Sequence, residues 1–244
     1  VAGTAVRRRL TWRLATVAAV TAEARTARRL SLRIDGWEGH LPGQHVDVRL
    51  TAPDGYQAQR SYSIASAPGS TTVDLVVQRI DDGEVSSYLT EELRAGDELE
   101  LRGPIGGYFV WHADLDAPLQ LVAGGSGVAP FLAMLDHHAA TGSGVPVRLL
   151  YSARSLDDVL GRERLEQHAG RGVGVTIALT RTQPPGWAGL GGRVTPETLR
   201  DHVWPPDAEP RIFVCGPTTF VEAVADGLVA AGHHATAIRI ERFG

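Results

Sequence analysis

Apolar positions change their spacing once along the chain, and that change divides it. In the first half, apolar and polar residues alternate in short runs bounded by turns. Thr11 to Val20 alternates in part like a strand, and Arg28 to Ile34, His45 to Leu50, Tyr62 to Ile64, Thr72 to Ile80 and Glu98 to Arg102 are strand candidates. Leu41-Pro42-Gly43-Gln44, Ala52-Pro53-Asp54-Gly55, Ala67-Pro68-Gly69-Ser70 and Ala95-Gly96-Asp97 supply the turns between them. Gly83 opens a short helix over Val85 to Leu93, and Gly103-Pro104-Ile105-Gly106-Gly107 follows the last strand. Short strands at turn-marked intervals predict a small barrel.

Beyond a join near Ala113 to Pro118, compact apolar blocks alternate with helical spacing. Strands are expected at Leu119 to Ala123, Val147 to Tyr151, Gly174 to Thr180, Arg211 to Val214 and Ala235 to Ile240. Helices are expected at Val128 to Ala140, through Arg162 to His168, after the Thr195 cap with Pro196 in first position, and at Thr218 to Ala231. Arg181 to Gly192 is a Gly/Pro-rich loop. Alternating strands and helices predict a parallel sheet. The fold class is therefore two domains, a β-barrel over residues 1–114 and an α/β parallel-sheet domain over 115–244.

Composition narrows the chemistry. Apolar residues make up 43% of the 244, enough for a sizeable core, and the net charge of −4 gives no bulk argument for nucleic acid. All 24 cations are arginines, so lysine Schiff-base chemistry is excluded. There is no asparagine, hence no N-glycosylation acceptor. One cysteine, Cys215, allows neither an internal disulfide nor a four-thiolate iron–sulfur site, which points to a reducing, cytoplasmic setting. No stretch reaches the roughly 20 apolar residues of a membrane span. Arg7-Arg8-Arg9 imitates the start of a signal peptide, but Arg13 and Thr16 interrupt the apolar run behind it; the chain opens on Val1, as a trimmed chain would.

Three stretches carry candidate chemistry. Arg60-Ser61-Tyr62-Ser63 combines a guanidinium fork suited to phosphate, a flat ring and two hydroxyls. In a strand, Arg60 and Tyr62 share one face, and Ser61 and Ser63 the other. This is a grip that would suit a flavin nucleotide, and also what a polar strand end looks like. Gly124-Gly125-Ser126-Gly127, between a strand and a helix, is an anion-binding arrangement or a tight turn; Pro130 stands where a dinucleotide fingerprint has its third glycine. The next strand ends Tyr151-Ser152-Ala153-Arg154 in place of an acid, and Arg154, with Arg181 after the third strand, suits a 2′-phosphate. That favours NADPH over NADH, with Asp157 and Asp158 against it. Cys215-Gly216-Pro217 ends a parallel strand, where such sheets bind ligands, although a lone cysteine is also an ordinary small core residue.

Taken in order, PGQHVDV, RSYSIAS, GEVSSYL, GPIGGYF, LVAGGSGVAPF, YSARS, FVCGP and the ending IERFG resemble the ferredoxin–NADP reductase superfamily, in the form of oxygenase reductase components. The resemblance covers nearly the whole chain. It implies an antiparallel flavin-binding barrel followed by a pyridine-nucleotide domain. It implies FAD as cofactor and NADPH or NADH as hydride donor. Arg60 would bind the flavin phosphates, Tyr62 would pack beside the ring and Ser63 would lie near flavin N5. Gly83, Val85, Ser86 and Ser87 would hold the pyrophosphate, and Ser61 and Val77 join the cofactor-binding positions. Gly125, Ser126, Gly127, Gly216 and Pro217 would meet the nicotinamide nucleotide, with Cys215 beside the nicotinamide. Glu241 would assist proton or electron traffic, and Phe243 would cover the flavin, although Gly244 follows it here.

Many relatives carry a [2Fe-2S] domain on the same chain. This sequence lacks its cysteines, so electrons are expected to pass to a separate acceptor. Residues 1–33 hold eight arginines and one acid, Glu23, a charge that would steer an acidic ferredoxin, and also what a solvated, partly disordered arm looks like. A diffusible flavin or quinone acceptor is a second reading, and a non-catalytic FAD-binding relay a third.

Overall fold

The computed structural model describes residues 10–243. The first sheet contains β1 (Arg13–Ala24), β2 (Ala27–Ile34), β3 (His45–Thr51), β4 (Gln57–Ser63), β5 (Val73–Gln78) and β6 (Glu98–Ile105). Alternation decides which side chains enter the barrel. Leu30 and Leu32 of β2 and Val46 and Val48 of β3 are wholly buried, while Arg29 and Arg33, which flank the first pair, and Arg49, which follows the second, lie on the opposite face. The strands run in the order β4-β3-β6-β1-β2-β5, with antiparallel pairing throughout. A single bridge, Ile64 with Leu75, brings the two edges together. The barrel therefore has a seam between β4 and β5, closed at one point. Beside that seam lies α1 (Glu84–Ser87), continued by a π-helical turn over Tyr88–Glu92 where one regular helix was expected.

Residues 106–118 lead into the second sheet. Its strands are β7 (Leu119–Gly124), β8 (Val147–Ala153), β9 (Gly174–Leu179), β10 (Leu190–Gly191), β11 (Arg211–Pro217) and β12 (Ile238–Phe243). They are parallel, in the order β10-β9-β8-β7-β11-β12. Every residue of β7 is buried, as expected of a central parallel strand covered on both faces. The helices are α2 (Ala129–Thr141), α3 (Arg162–Ala169), α4 (Pro196–His202) and α5 (Thr218–Ala230). Pro130 occupies the first turn of α2, and Thr195 caps α4 by accepting from the Thr198 amide at 3.2 Å. The order of strands reverses between β7 and β11, so the carboxyl ends of those strands form the crevice where open α/β sheets bind ligands.

The two halves share apolar packing. Ala27, Ala65 and Val76 of the barrel lie in one cluster with Phe109, Trp111, Phe131 and Cys215. Among the described residues, no helix is long and apolar enough to cross a membrane.

Candidate active site

The cleft follows from the open seam. β4 pairs only with β3, so its other edge keeps unpaired backbone groups along Arg60 to Ser63. Facing that edge are Val76 and Gln78 of β5, then Gly83, Val85 and Ser86 at the start of α1. The α/β half closes the cleft with Ser126, Ala129, Ile240, Glu241 and Phe243. Its volume of about 630 Å³ falls within the roughly 300–1,000 Å³ of small-molecule sites. Arg60 is exposed, and among the described residues its guanidinium meets only the carbonyl of its neighbour Gln59 at 2.7 Å.

A second groove of about 470 Å³ opens over the carboxyl ends of β7, β8 and β11. Gly124, Gly125, Ser126, Ser152, Arg154, Thr180, Pro217 and Phe220 line it from the α/β half, with Asp158 beside Arg154. Glycine is needed here for reasons of space. A Cβ on Gly124 would stand 2.7 Å from the Phe220 ring, and Gly125 adopts φ +55°. Gln78, Ile80, Ser126 and Phe243 line both cavities, so the two adjoin, and Phe243 stands at the bend where they meet.

Burial controls the ionisation of the side chains at that bend. Glu241 is pushed up from 4.5 to about 7 by desolvation, against a weak contact from Ser63 Oγ at 3.5 Å. Burial also pushes Tyr62 up to about 12, so its phenol remains a donor at neutral pH. His45, which lines the cleft, is lowered by burial against the pull of Asp47. Burial alone would raise Asp47; the Ser61 hydroxyl at 2.6 Å and the Arg102 guanidinium at 2.6 Å hold it below the ordinary carboxylate range. Burial drives the Cys215 thiol well up, with the Glu241 charge adding to the shift.

With this geometry in view, two family models match the chain: an oxidoreductase FAD-binding domain over residues 14–110 and an oxidoreductase NAD-binding domain over residues 121–226. The chain belongs to the ferredoxin–NADP reductase superfamily. It is 31% identical over 207 residues to the toluate 1,2-dioxygenase electron transfer component of Pseudomonas putida, covering 83% of this chain and 58% of that one. It is 32% identical over 199 residues to NADH-cytochrome b5 reductase 1 of Lodderomyces elongisporus, covering 79% and 65%. The crystal structure of the Amycolatopsis cytochrome P450 reductase GcoB superposes with a TM-score of 0.83 at 27% identity, covering 96% of this chain and 70% of that one. The chain thus spans about 58% and 65% of the lengths of the two curated relatives.

The superfamily's flavin fits the cleft. The otherwise uncommitted Arg60 fork, the unpaired edge of β4, the protonated Tyr62 and the Gly83 turn form one donor set along its length. A pyridine nucleotide fits the second groove, where among the described residues the Arg154 side chain has no hydrogen bond or ion pair. Of the positions expected from the sequence, Arg60, Ser61, Tyr62, Ser63, Gly83, Val85, Ser86, Ser126, Glu241 and Phe243 line the first cavity. Gly125, Arg154 and Pro217 line the second.

Six expected positions line neither cavity. Val77 is wholly buried in the barrel core; strand parity turns its neighbours Val76 and Gln78 to the cleft instead. Cys215 is 1% exposed and packed in the core. Gly127 and Gly216 are close-approach glycines. A Cβ on Gly127 would lie 2.2 Å from the Cys215 carbonyl oxygen, and one on Gly216 would lie 2.8 Å from the Phe220 ring. Ser87 donates its amide to the Gly83 carbonyl at 2.9 Å within the helical turn. Arg181 is exposed and reaches Arg154 only through its amide, at 2.9 Å from that carbonyl.

Local sequence pattern does not single out His45, Gln78, Ile80, Tyr108 or Phe220. His45 and Tyr108 lie inside two of the motifs quoted above, PGQHVDV and GPIGGYF. Phe220 had a signal too, since Gly124 and Gly216 both make room for its ring.

Proposed function

We propose that the chain is an FAD-dependent reductase that takes a hydride from NAD(P)H and delivers electrons to a separate acceptor. The observation that carries this reading is that the Arg154 groove adjoins the Arg60 cleft, the two sharing Gln78, Ile80, Ser126 and Phe243 close to Ser63 and Glu241. Bound FAD would supply the hydride acceptor and the conversion of paired to single electrons. The protein's share is to bind, align and exclude water.

Arg60 holds phosphate charge at one end of the cleft, while Tyr62 packs a protonated phenol along it. Ser63 and Glu241 hold a proton at the junction, with Glu241 able to gain or lose it near neutrality. Phe243 is 38% exposed and shields the bend, so it must turn aside when a nicotinamide enters. Cys215 acts from behind the cavities, through its backbone, since its carbonyl sets how close Gly127 approaches.

NADPH is the proposed donor, because Arg154 offers an unpaired guanidinium beside the Ser152 and Thr180 positions. Arg154→Ala is expected to weaken NADPH about tenfold and to leave NADH within about twofold, one charge-assisted contact being worth ~1.5 kcal/mol or more. Half-saturation by each coenzyme measures this, and equal losses rule out a 2′-phosphate contact. The proposed acceptor is another redox protein, in keeping with relatives named as electron transfer components. An acidic ferredoxin would meet the arginine-rich start of the chain, of which Arg7, Arg8 and Arg9 lie outside the described residues. Turnover with such an acceptor should fall steeply with salt, and a flat response removes the steering.

The decisive test is anaerobic mixing of the purified flavoprotein with NADPH or NADH. Bleaching of the flavin spectrum is expected, and an unbleached spectrum with both overturns the reading.

A further inference from the structure

The barrel and the α/β half are joined by a polar strut as well as by apolar packing. Gly161, which precedes α3 with φ +68°, donates its amide to Glu23 Oε1 on β1 at 2.7 Å. Three residues on, Arg164 Nη2 donates to the Ala65 carbonyl of the barrel at 2.7 Å and to Asp136 Oδ2 of α2 at 2.6 Å. The other oxygen of Asp136 lies 2.8 Å from His168 Nε2, one turn further along α3. Burial alone would raise Asp136, but its bond to His168 and the charge and bond of Arg164 hold it below the ordinary range. The carboxylate is therefore ionised, and it fixes the guanidinium from behind.

The point of contact on the barrel is specific. Ala65 lies two residues after Ser63, beside the Ile64–Leu75 bridge that closes the seam, and its own amide donates to the Asp74 carbonyl at 2.7 Å. Arg164 thus grips the barrel where the cleft-forming strand is anchored. We propose that Arg164 is a positioning residue, held by Asp136, that sets the alignment of the coenzyme groove against the flavin cleft. This rests on the reductase reading above.

Stability alone does not account for the arrangement. The interface already has an apolar core, and an ion pair partly withdrawn from water, as this one is, is often no more stabilising than apolar residues of similar volume. Arg164 Nη1 is also buried without a hydrogen-bond partner, which is itself destabilising. What the pair supplies is a fixed angle between the halves, and a misplacement of about 1 Å between reacting groups costs up to about 100-fold in rate.

The test compares Arg164→Ala, Arg164→Lys and Asp136→Asn flavoproteins with the parent. Arg162→Ala is the control, since Arg162 sits on the same helix, exposed and paired only with Glu166 at 2.9 Å. Flavin content, anaerobic bleaching at saturating NADPH, the half-saturating concentration and hydrogen–deuterium exchange across residues 64–75 are measured for each. Arg164→Ala is expected to retain its flavin and keep half-saturation within about twofold. It should bleach at least about tenfold more slowly and exchange faster across 64–75. Lysine should recover part of the rate, and Asp136→Asn should show the same pattern more weakly, which keeps the test open if the alanine variant does not fold. A parental bleaching rate in the Arg164 and Asp136 variants, or a loss explained wholly by missing flavin or weaker coenzyme binding, overturns the proposal. If the parent itself is not bleached, the reductase reading fails; unchanged exchange across 64–75 in the variants then overturns the strut separately.

Discussion

Arg60→Ala is expected to lose its hold on FAD by about 10- to 150-fold while leaving the fold intact. The magnitude follows from the contact removed, since a hydrogen bond to a charged group is worth ~1.5–3 kcal/mol. The selectivity follows from where Arg60 sits. Its guanidinium is exposed and among the described residues touches only the adjacent Gln59 carbonyl, so truncation should change thermal stability of the flavin-free protein by no more than about 0.5 kcal/mol. Arg60→Lys should recover only part of the affinity, because an ammonium keeps the charge and loses the planar fork. Flavin fluorescence on dilution of the purified holoproteins gives the dissociation constants. FAD held as tightly by Arg60→Ala as by the parent would end this reading of the cleft. A shared fall in Tm without FAD would show that the loss is structural.

Arg60 belongs to the residues whose placement can be read from local pattern, and other elements differ from it in physical ways. Val46 and Val48 alternate with polar neighbours, so β3 and its inward face are legible from the amino-acid sequence alone. The compact run from Leu119 and the glycines after it place β7 and its loop for the same reason. β4 is legible only at its end. Gln57 and Gln59 are polar and exposed on either side of a single small Ala58, and what makes the stretch a strand is pairing with Thr51, Leu50 and Arg49 of β3. β5 shows the opposite failure. Leu75, Val76 and Val77 are all apolar, so no alternation tells which of them faces the cleft, and the choice of Val77 over Val76 is one residue out of phase.

Contacts between distant segments are the least legible. Cys215 ends a strand in the right crevice, but β11 lies between β7 and β12, and a strand covered on both faces can bury a thiol that its position alone would expose. Arg164 sits in a run of charges that reads as a solvated helix face. Its function depends on Asp136 and Ala65, 28 and 99 residues away. Glu241 is picked out by resemblance, yet its ionisation comes from burial beside Ser63, 178 residues earlier in the chain.

Glu241→Gln should remove the principal pH dependence near neutrality, in stability and in activity alike. Desolvation raises the Glu241 carboxyl from 4.5 to about 7 in the fold. The folded protein therefore holds this proton more tightly than the unfolded chain does. Its contribution to stability is fully present below the ordinary glutamate value and is lost as pH rises through about 7, amounting to about 3 kcal/mol between those limits. Glutamine stays neutral throughout. Parent and variant should melt together at acidic pH, and the variant should melt higher above pH 8 or so.

The activity effect runs the other way. A group that titrates near the working pH is suited to hold and release a proton, a role worth about 10²–10⁴ in rate. Anaerobic bleaching by Glu241→Gln should be slower than the parent by about 100-fold at neutral pH. Between about pH 5.5 and 8.5 its profile should be flat where the parent inflects. An inflection retained near pH 7 in the variant would assign the titration to another group, and a parental rate would leave Glu241 a buried acid with no part in proton traffic. Slower bleaching together with higher stability at alkaline pH is the outcome expected of a carboxyl kept half-protonated near the bend where the two cavities meet, where its burial costs stability and supplies the proton.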